Sequence, residues 1–225
     1  MINRSNLARR AALRHAILIA AGIGTSLLRP AWGAGRRTLL VLGDSLSAEY
    51  GLARDSGWVK LLERRLQQHA QGGIQYSVAN ASISGETTSG GRSRLPALLK
   101  QHQPSIVVIE LGANDGLRGL PLAEMRANLR AMIEASRAAG ARVLLVGMRI
   151  PPNYGRDYAE RFHQSFADLA RESKVALAPF LLDGIAEDLT LFQPDRIHPN
   201  ERAQPRLLDN VWPALAPLLA ARRAR

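Results

Sequence analysis

Strand-like and helix-like segments alternate along the chain from residue 38 onward. Segments rich in apolar and β-branched residues, typical of strands in a sheet that is buried on both faces, occur at residues 38–43, 74–82, 105–112, 142–148 and 174–180. Segments with apolar residues at helical spacing occur at residues 57–70, 87–102, 121–139, 155–173 and 200–220. This alternation predicts an α/β fold in which helices cover both faces of a parallel sheet.

Irregular segments directly follow three of the predicted strands, at residues 83–91, 112–121 and 149–155, and a further one covers residues 183–199. Because the strands are parallel, their carboxyl ends meet at one edge of the sheet, and the connections that leave them gather there. Open α/β sheets bind their ligands at that edge. We therefore expect the functional residues to lie on these connections.

The composition narrows the class of protein. The chain has 225 residues, of which 46% are apolar and 22% are charged, as expected for one soluble globular domain. It has no cysteine, which excludes disulfides, a cysteine nucleophile and thiolate metal ligands. Five arginines and no acidic residue lie in residues 1–33, so the net charge of +11 falls to +6 on the remainder. No aromatic-and-basic recognition pattern accompanies this charge, and no nucleic-acid partner is predicted.

The first 33 residues are typical of an export signal. A basic region ends near Arg14, an apolar run of 13 residues covers 16–28, and the small residues of "PAWGA" follow. The run is shorter than the roughly 20 residues that a membrane-spanning helix needs. We expect residues 1–33 to be a signal peptide, with "RR" at 9–10 as a weak match to a twin-arginine signal, and residues 34–225 to be periplasmic or secreted. A buried N-terminal helix is the alternative.

The first predicted strand ends in a polar turn. Residues 39–47 read "LLVLGDSLS", so Ser45 lies just beyond the strand at the carboxyl edge of the sheet. Gly, Asp and Ser are common turn residues, which gives a purely structural explanation. The chemical alternative is a nucleophile, and a serine hydroxyl becomes one at neutral pH only when a base removes its proton.

His198 is the strongest candidate for that base. It occurs in "PDRIHPN", where Asp195 lies three residues earlier and can accept a hydrogen bond from the imidazole Nδ1–H. The alternative is an Asp–His pair that caps the last helix. The other histidines are expected in the signal (His15), in solvent (His69, His102) or on a helix as a surface or packing residue (His163).

Acyl transfer also needs hydrogen-bond donors for the developing oxyanion. Gly85 in "SISGETTSGG" lets a backbone N–H approach a substrate closely, and Asn114 in "LGANDG" carries a side-chain NH2. Considered singly, the two positions are explained as well by a glycine turn and an Asx turn. Considered with the serine, histidine and aspartate above, they complete a set of nucleophile, base, partner of the base and oxyanion donors at one sheet edge.

Four blocks, "GDSLS", "SISGETTSGG", "LGANDGLRG" and "DRIHPN", resemble in order the conserved blocks of the SGNH hydrolases, also called GDSL esterases. The resemblance covers residues 38–220. It implies a flavodoxin-like three-layer α/β/α fold with a five-stranded parallel sheet, formed by an SGNH hydrolase domain at 34–225. It also implies that the protein needs no metal and no cofactor.

The same resemblance implies a role for each candidate residue. Ser45 is then the nucleophile, His198 the general base and Asp195 the partner of that base. The Ser45 N–H, the Gly85 N–H and the side chain of Asn114 are then the oxyanion donors. No G-x-S-x-G elbow, the other common serine esterase motif, frames the serine.

Two stretches, "LGANDGLRGLPLAEMRANL" and "MRIPPNYG", resemble one branch in particular, the bacterial periplasmic arylesterase, acyl-CoA thioesterase and lysophospholipase group. Arg196 departs from that branch, in which glycine is frequent, and adds a positive charge between the acid and the base. The second stretch supplies candidates for an acyl channel, for which closing the core is the alternative role: Ile150, Pro151, Pro152 and Tyr154.

The sequence therefore predicts a serine hydrolase that cleaves carboxylic esters and thioesters through an acyl-enzyme intermediate. We expect a monomer that takes a small-molecule acyl ester or thioester and contacts membrane lipids transiently. Two alternatives stay open. One is a carbohydrate O-acetylesterase, which the same catalytic set can support. The other is a non-catalytic basic surface protein that binds anionic lipid or glycan.

Overall fold

A parallel sheet lies at the centre of the computed structural model, which describes residues 36–68 and 74–220. Its strands are β1 (Arg36–Gly43), β2 (Gln75–Asn80), β3 (Ile106–Glu110), β4 (Arg142–Val146) and β5 (Ala176–Ala178). They lie in the order β2-β1-β3-β4-β5, and every neighbouring pair is parallel. This is the flavodoxin-like order, so the predicted fold class is confirmed. The predicted export signal and His69 lie outside the described residues.

The two central strands explain the unbroken apolar runs in the sequence. Every residue from Leu39 to Leu42 in β1 and from Ile106 to Ile109 in β3 is buried. A strand that is covered on both faces has no solvent side on which polar residues could alternate. The pairing of β1 with β3 runs from Leu39 opposite Ile106 to Gly43 opposite Glu110. The ends of both strands therefore lie side by side.

Two groups of helices cover the faces of the sheet. The long helices are α1 (Trp58–Gln68), α2 (Thr88–His102), α4 (Leu122–Ala138), α5 (Arg156–Ser173) and α6 (Gln204–Ala220). Helices α1 and α6 contact each other, with α1 against β2 and α6 against β4 and β5. On the other side, α4 packs between α2 and α5. Within the described part of the chain, no helix combines the length and the apolar character needed to cross a membrane.

Short helical turns occupy several of the connections that were predicted to be irregular. Helix α3 (Ala113–Leu117) begins three residues after the last residue of β3, and single 3₁₀ turns cover Pro152–Tyr154, Leu189–Leu191 and Glu201–Ala203. Periodicity cannot reveal such turns, because an element of three to five residues completes no more than about one and a half helical turns. Helix α6 accordingly begins at Gln204, after a 3₁₀ turn, rather than at residue 200.

Candidate active site

The structure brings Ser45, His198 and Asp195 together. Ser45 lies in the turn that follows β1, and its Oγ is 2.9 Å from Nε2 of His198. On the other side of the ring, Nδ1 of His198 is 2.7 Å from Oδ2 of Asp195. When the ring proton is on Nδ1, the Nδ1–H group donates a hydrogen bond to the carboxylate. Nε2 is then free to accept a hydrogen bond from the serine hydroxyl.

A tight local loop holds the acid and the base in this arrangement. Oδ1 of Asp195 accepts hydrogen bonds from the backbone N–H groups of Ile197 (2.9 Å) and His198 (3.0 Å). Burial raises the pKa of Asp195, but these N–H groups and the His198 ring together outweigh burial, so the pKa lies below its usual range. The carboxyl is therefore ionised at neutral pH. Arg196 adopts a left-handed backbone with φ of 58°, which lets the chain turn between the two residues.

The ring of Tyr50 contacts the ring of His198, a contact that the sequence analysis missed. Their centroids are 4.5 Å apart with a tilt of 43°, and the Tyr50 N–H donates to the carbonyl of Ser45 at 3.4 Å. The tyrosine therefore restricts the imidazole from the side of the turn that carries Ser45. Tyr50 follows the serine by five residues, and nothing in this spacing or in the residue type indicates a contact with a histidine that is far along the chain.

The turn that carries Gly85 is tied to the ends of β1 and β3. The Ile83 N–H donates to the carbonyl of Gly43 at 3.0 Å, and Nδ2 of Asn114 donates to the carbonyl of Glu86 at 3.0 Å. Gly85 has φ of 79°, a conformation that strongly favours glycine. Among the described residues, no acceptor is hydrogen-bonded to the N–H of Ser45 or of Gly85. Both groups are thus available as hydrogen-bond donors.

A buried pair of carboxyl groups lies next to Ser45. Asp44 is 1% exposed and Glu110 is fully buried. Oε2 of Glu110 accepts hydrogen bonds from Oγ of Ser47 (2.7 Å) and from the Asp44 N–H (3.3 Å), and Nε1 of Trp58 donates to Oγ of Ser47 at 3.2 Å. A Cβ at Gly43 would lie 2.7 Å from Oε2 of Glu110, so only glycine fits beside this acid.

The two acids carry one charge between them at neutral pH. Burial raises the pKa of Asp44 to about 6, although the Leu46 N–H, His198 and Asn114 act against it. Burial, followed by the charge of Asp44, raises the pKa of Glu110 well above its usual range. Oε1 of Glu110 has no hydrogen-bond partner among the described residues, which fits a protonated carboxyl better than an ionised one. Burial, the repulsion between the two acids and the unpaired oxygen thus all favour a neutral Glu110 beside an ionised Asp44.

A cavity of about 1210 Å³ opens beside this site. Ser45, Asn114 and His198 all line it. Most of its remaining wall is apolar, formed by Leu46, Leu117, Met148, Ile150, Pro151, Pro152, Phe180, Leu182, Ile185, Phe192 and Ile197. Charged side chains also reach it: Arg149, Arg156, Arg196, Glu160, Asp183, Glu187 and Asp188. Within the described residues, no group of three or more histidine and acidic side chains could hold a metal ion.

Three of the four predicted channel residues line this cavity, and the fourth does not. Ile150, Pro151 and Pro152 lie in its wall, whereas Tyr154 is outside it and 43% exposed. The expectation for Tyr154 was therefore wrong. The 3₁₀ turn over Pro152–Tyr154 rotates successive side chains by about 120°, so its residues cannot all face one cavity.

His163 also lines the cavity, although the sequence suggested only a surface or packing role. Its Nδ1 is 3.1 Å from the carbonyl of Met148, and its Nε2 is 3.1 Å from Nη2 of Arg149. A carbonyl can only accept and a guanidinium can only donate, so these two contacts suit the tautomer that carries its proton on Nδ1.

A flavodoxin-like sheet with a Ser–His–Asp hydrogen-bond chain and free N–H donors at its carboxyl edge defines a hydrolase of the serine esterase class. The model of the GDSL-like lipase/acylhydrolase family matches residues 41–205. The chain belongs to this family, as the resemblance implied.

Individual relatives agree with this assignment. The chain is 53% identical to "Esterase TesA" of Pseudomonas aeruginosa over 186 residues, and this aligned region covers 83% of this chain and 91% of the relative. It is 45% identical over 182 residues to "Thioesterase 1/protease 1/lysophospholipase L1" of Escherichia coli K12, covering 81% and 85%. The crystal structure of the esterase EstA of Pseudoalteromonas sp., inhibited by monoethylphosphonate, superposes with a TM-score of 0.76 at 43% identity, over 82% of this chain and all of EstA.

The neutral state of Glu110 can be tested by stability measurements on Glu110→Gln. The folded protein keeps a proton on Glu110 at pH values at which the unfolded chain, with an ordinary pKa of about 4.5, has released it. The natural protein therefore loses stability as pH rises above that value, whereas glutamine is neutral throughout. The variant should therefore gain stability relative to the natural protein as pH rises above that value, by up to about 1.4 kcal/mol per pH unit for as long as Glu110 stays protonated in the folded protein.

Urea unfolding at pH 4.5, 6 and 8 measures this difference. Glu134→Gln, an exposed replacement on α4, is the matched control and should differ from the natural protein by the same amount at each pH. A Glu110→Gln difference that is equally constant would show that Glu110 is ionised in the folded protein.

Proposed function

We propose that the chain hydrolyses carboxylic esters and thioesters by acyl transfer through Ser45. The observation that carries this proposal is the continuous hydrogen-bond path from Oγ of Ser45 through both ring nitrogens of His198 to Asp195. A serine hydroxyl is a weak nucleophile unless such a base is in contact with it. The 2.9 Å distance is within the reach expected for direct proton transfer.

In the first step, Oγ of Ser45 bonds to the substrate carbonyl carbon while its proton passes to Nε2 of His198. The carbonyl π electrons move to oxygen, and the N–H groups of Ser45 and Gly85 and the amide of Asn114 stabilise that oxyanion. The ionised Asp195 stabilises the imidazolium. Collapse of the intermediate breaks the C–O or C–S bond, and the leaving group takes the proton from His198.

In the second step, water replaces the leaving group. His198 removes a proton from the water as its oxygen attacks the acyl carbon, and a second tetrahedral oxyanion forms in the same donor site. Its collapse breaks the bond to Oγ of Ser45, which recovers the proton from the imidazolium. The products are a carboxylic acid and an alcohol or thiol, and the enzyme returns to its starting state.

The apolar lining of the cavity favours substrates with apolar acyl chains. Its wall is mostly aliphatic and aromatic, and such surfaces favour alkyl groups over hydroxylated ones. The relatives reported above carry the words esterase, thioesterase and lysophospholipase in their names, which fits acyl esters and thioesters as the substrate class. An acetylated sugar, the substrate of a carbohydrate acetylesterase, would leave most of this apolar wall without an apolar group to contact.

Replacement of the nucleophile gives the first test. Ser45→Ala should lower kcat/KM for p-nitrophenyl acetate by about 10⁴–10⁶-fold, because it removes the hydroxyl that forms the acyl intermediate. It should also abolish covalent labelling by a fluorophosphonate. Ser93→Ala, an exposed serine on α2, is the control and should keep both properties. Hydrolysis and labelling that survive in Ser45→Ala would contradict the assignment.

A cavity variant gives the second test. Ile150→Ala removes apolar contact from the wall, so kcat/KM for an octanoyl ester should fall by about 10-fold while the acetyl ester is little affected. Tyr154→Ala, four residues along but outside the cavity, should change neither substrate by more than about 2-fold. Equal losses on acetyl and octanoyl esters, or turnover of acetylated sugars alone, would argue against an acyl channel at this place.

We also propose that the rim of the site contacts lipid transiently. Large hydrophobic side chains that are exposed in the described part of the chain are Tyr50, Ile83, Leu120, Tyr154, Leu189 and Ile197. All of them lie on connections that lead from the carboxyl end of a strand to the next long helix, and Ile197 also lines the cavity. Apolar side chains that gather at one place are typical of an interaction surface.

Flotation with phosphatidylcholine vesicles tests this contact. The double variant Ile83→Glu with Leu189→Glu should float several-fold less than the natural protein, because two charges would have to enter the lipid interface. Ala139→Glu, exposed at the opposite edge of the sheet, should float as the natural protein does. Equal flotation of all three proteins would refute a role of the rim.

A further inference from the structure

Gln193 joins the turn that carries Ser45 to the loop that carries His198. Its side-chain Nε2 donates to the carbonyl of Tyr50 at 2.8 Å and to the carbonyl of Pro199 at 3.3 Å. Tyr50 lies in the connection that follows β1, whereas Pro199 is the residue directly after His198. One side chain thus bonds to the backbone of two segments, although Gln193 and Tyr50 are 143 residues apart in the sequence.

The orientation of the Gln193 amide follows from its partners. Both partners are backbone carbonyls, which only accept hydrogen bonds, so the NH2 group faces them and each carbonyl takes one of its two hydrogens. An amide rotated by 180° would place its own oxygen against these carbonyls. The two hydrogen bonds are therefore compatible, and together they use the whole donor capacity of the side chain for this bridge.

Each end of the bridge is bonded to the backbone of a residue of the Ser–His pair. The Tyr50 N–H donates to the carbonyl of Ser45 at 3.4 Å, and the Tyr50 ring lies 4.5 Å from the ring of His198. At the other end, the Gln193 N–H donates to the carbonyl of His198 at 2.8 Å. Hydrogen bonds therefore connect the backbones of Ser45 and His198 independently of the 2.9 Å contact between their side chains.

The backbone next to Tyr50 leaves room for the bridging amide. Gly51 has φ of 70°, and a Cβ at this position would overlap Oε1 of Gln193. A residue with a side chain would therefore push the amide away from the Tyr50 carbonyl. Glycine permits the close approach on which the bridge depends.

We propose that Gln193 is a positioning residue that sets the distance between Oγ of Ser45 and Nε2 of His198. The inference rests on the proposed function, in which His198 removes the proton from Ser45. Asp195 fixes the imidazole relative to its own loop, because its hydrogen bonds stay within that loop. Placement of the loop against the serine needs contacts that cross between the two segments, and the Gln193 amide supplies one. Proton transfer requires the two atoms within hydrogen-bond reach, so a small displacement slows the reaction.

Gln193→Met removes the two NH2 bonds and little else. Methionine is unbranched and of similar length, and the backbone bond from residue 193 to the carbonyl of His198 is kept. The Asp195–His198 pair should therefore stay intact, while its placement against Ser45 loosens. Gln164→Met is the matched control, because Gln164 is an exposed glutamine on α5 that does not line the cavity.

A double-mutant cycle on kcat/KM for p-nitrophenyl acetate tests the proposal. Gln193→Met should lower kcat/KM by about 10–100-fold in the natural background, because a displaced base removes the proton less readily. The loss should lie in kcat, with KM changed by less than about 2-fold, since Gln193 does not line the cavity. In the His198→Ala background the same change should cost less than about 3-fold, because the group that it positions is absent.

Gln164→Met should keep kcat/KM within about 2-fold in both backgrounds. Equal costs of Gln193→Met in both backgrounds, or no cost in either, would overturn the inference. The proposed function has its own readout in this cycle, because His198→Ala alone should cost at least about 10²-fold. A large loss in His198→Ala without a loss in Gln193→Met contradicts the positioning role alone, whereas an active His198→Ala enzyme contradicts the proposed function.

Gly51→Ala tests the same bridge with the glutamine kept, and it covers the case in which Gln193→Met does not fold. The added Cβ should displace the amide and lower kcat/KM by at least about 5-fold. Gly140→Ala is the control, because Gly140 has φ of 80° before β4, at the opposite edge of the sheet, and has similar backbone strain. The two variants should lose similar stability in urea. A Gly51→Ala enzyme with the kcat/KM of Gly140→Ala would overturn the inference.

Discussion

The register between β1 and β3 is the constraint on which the site depends. Gly43 pairs with Glu110 at the last rung of the ladder, so the chain leaves both strands at the same height and the same edge. Ser45 and Asn114 follow these ends by two and four residues, which places the hydroxyl and the amide beside one cavity. A slip of one residue would turn every β1 side chain to the other face and would separate Asp44 from Glu110.

The same register places two acids where a core would favour apolar groups. Burial of Glu110 and Asp44 destabilises the folded state, because both carboxyl groups bind protons more strongly there than in the unfolded chain. The structure limits this effect by leaving Glu110 neutral and surrounding Asp44 with donors. Buried carboxyl groups that lower the stability of the folded protein are typical of functional sites, in which charged groups are held in fixed positions. The neutral acid also avoids a second negative charge next to the place where an oxyanion would form.

The remaining parts of the site reach it from further along the chain. The loop that carries Asp195 and His198 is built locally: the aspartate binds the backbone of its own loop, and the Gln193 N–H donates to the carbonyl of His198 at 2.8 Å. Hydrogen bonds within the loop therefore set the position of Asp195 relative to His198, and the packing of the whole domain brings this pair into contact with Ser45. The imidazole is then restrained on two sides, by Asp195 and by the ring of Tyr50.

Residue patterns by themselves determined the alternation of strands and helices and the sheet edge at which the candidate residues lie, because hydrophobic periodicity and the direction of parallel strands are encoded locally. They also singled out Ser45, Gly85, Asn114, Asp195 and His198 as candidate site residues, since each lies in a distinctive turn. They did not reveal the pairing of Asp44 with Glu110, the contact of Tyr50 with His198, or the exclusion of Tyr154 from the cavity. Glu110 interrupts an apolar strand and could have been noticed, but its partner lies 66 residues away. Such contacts depend on strand order, register and side-chain direction, and these are decided only when distant segments pack in three dimensions.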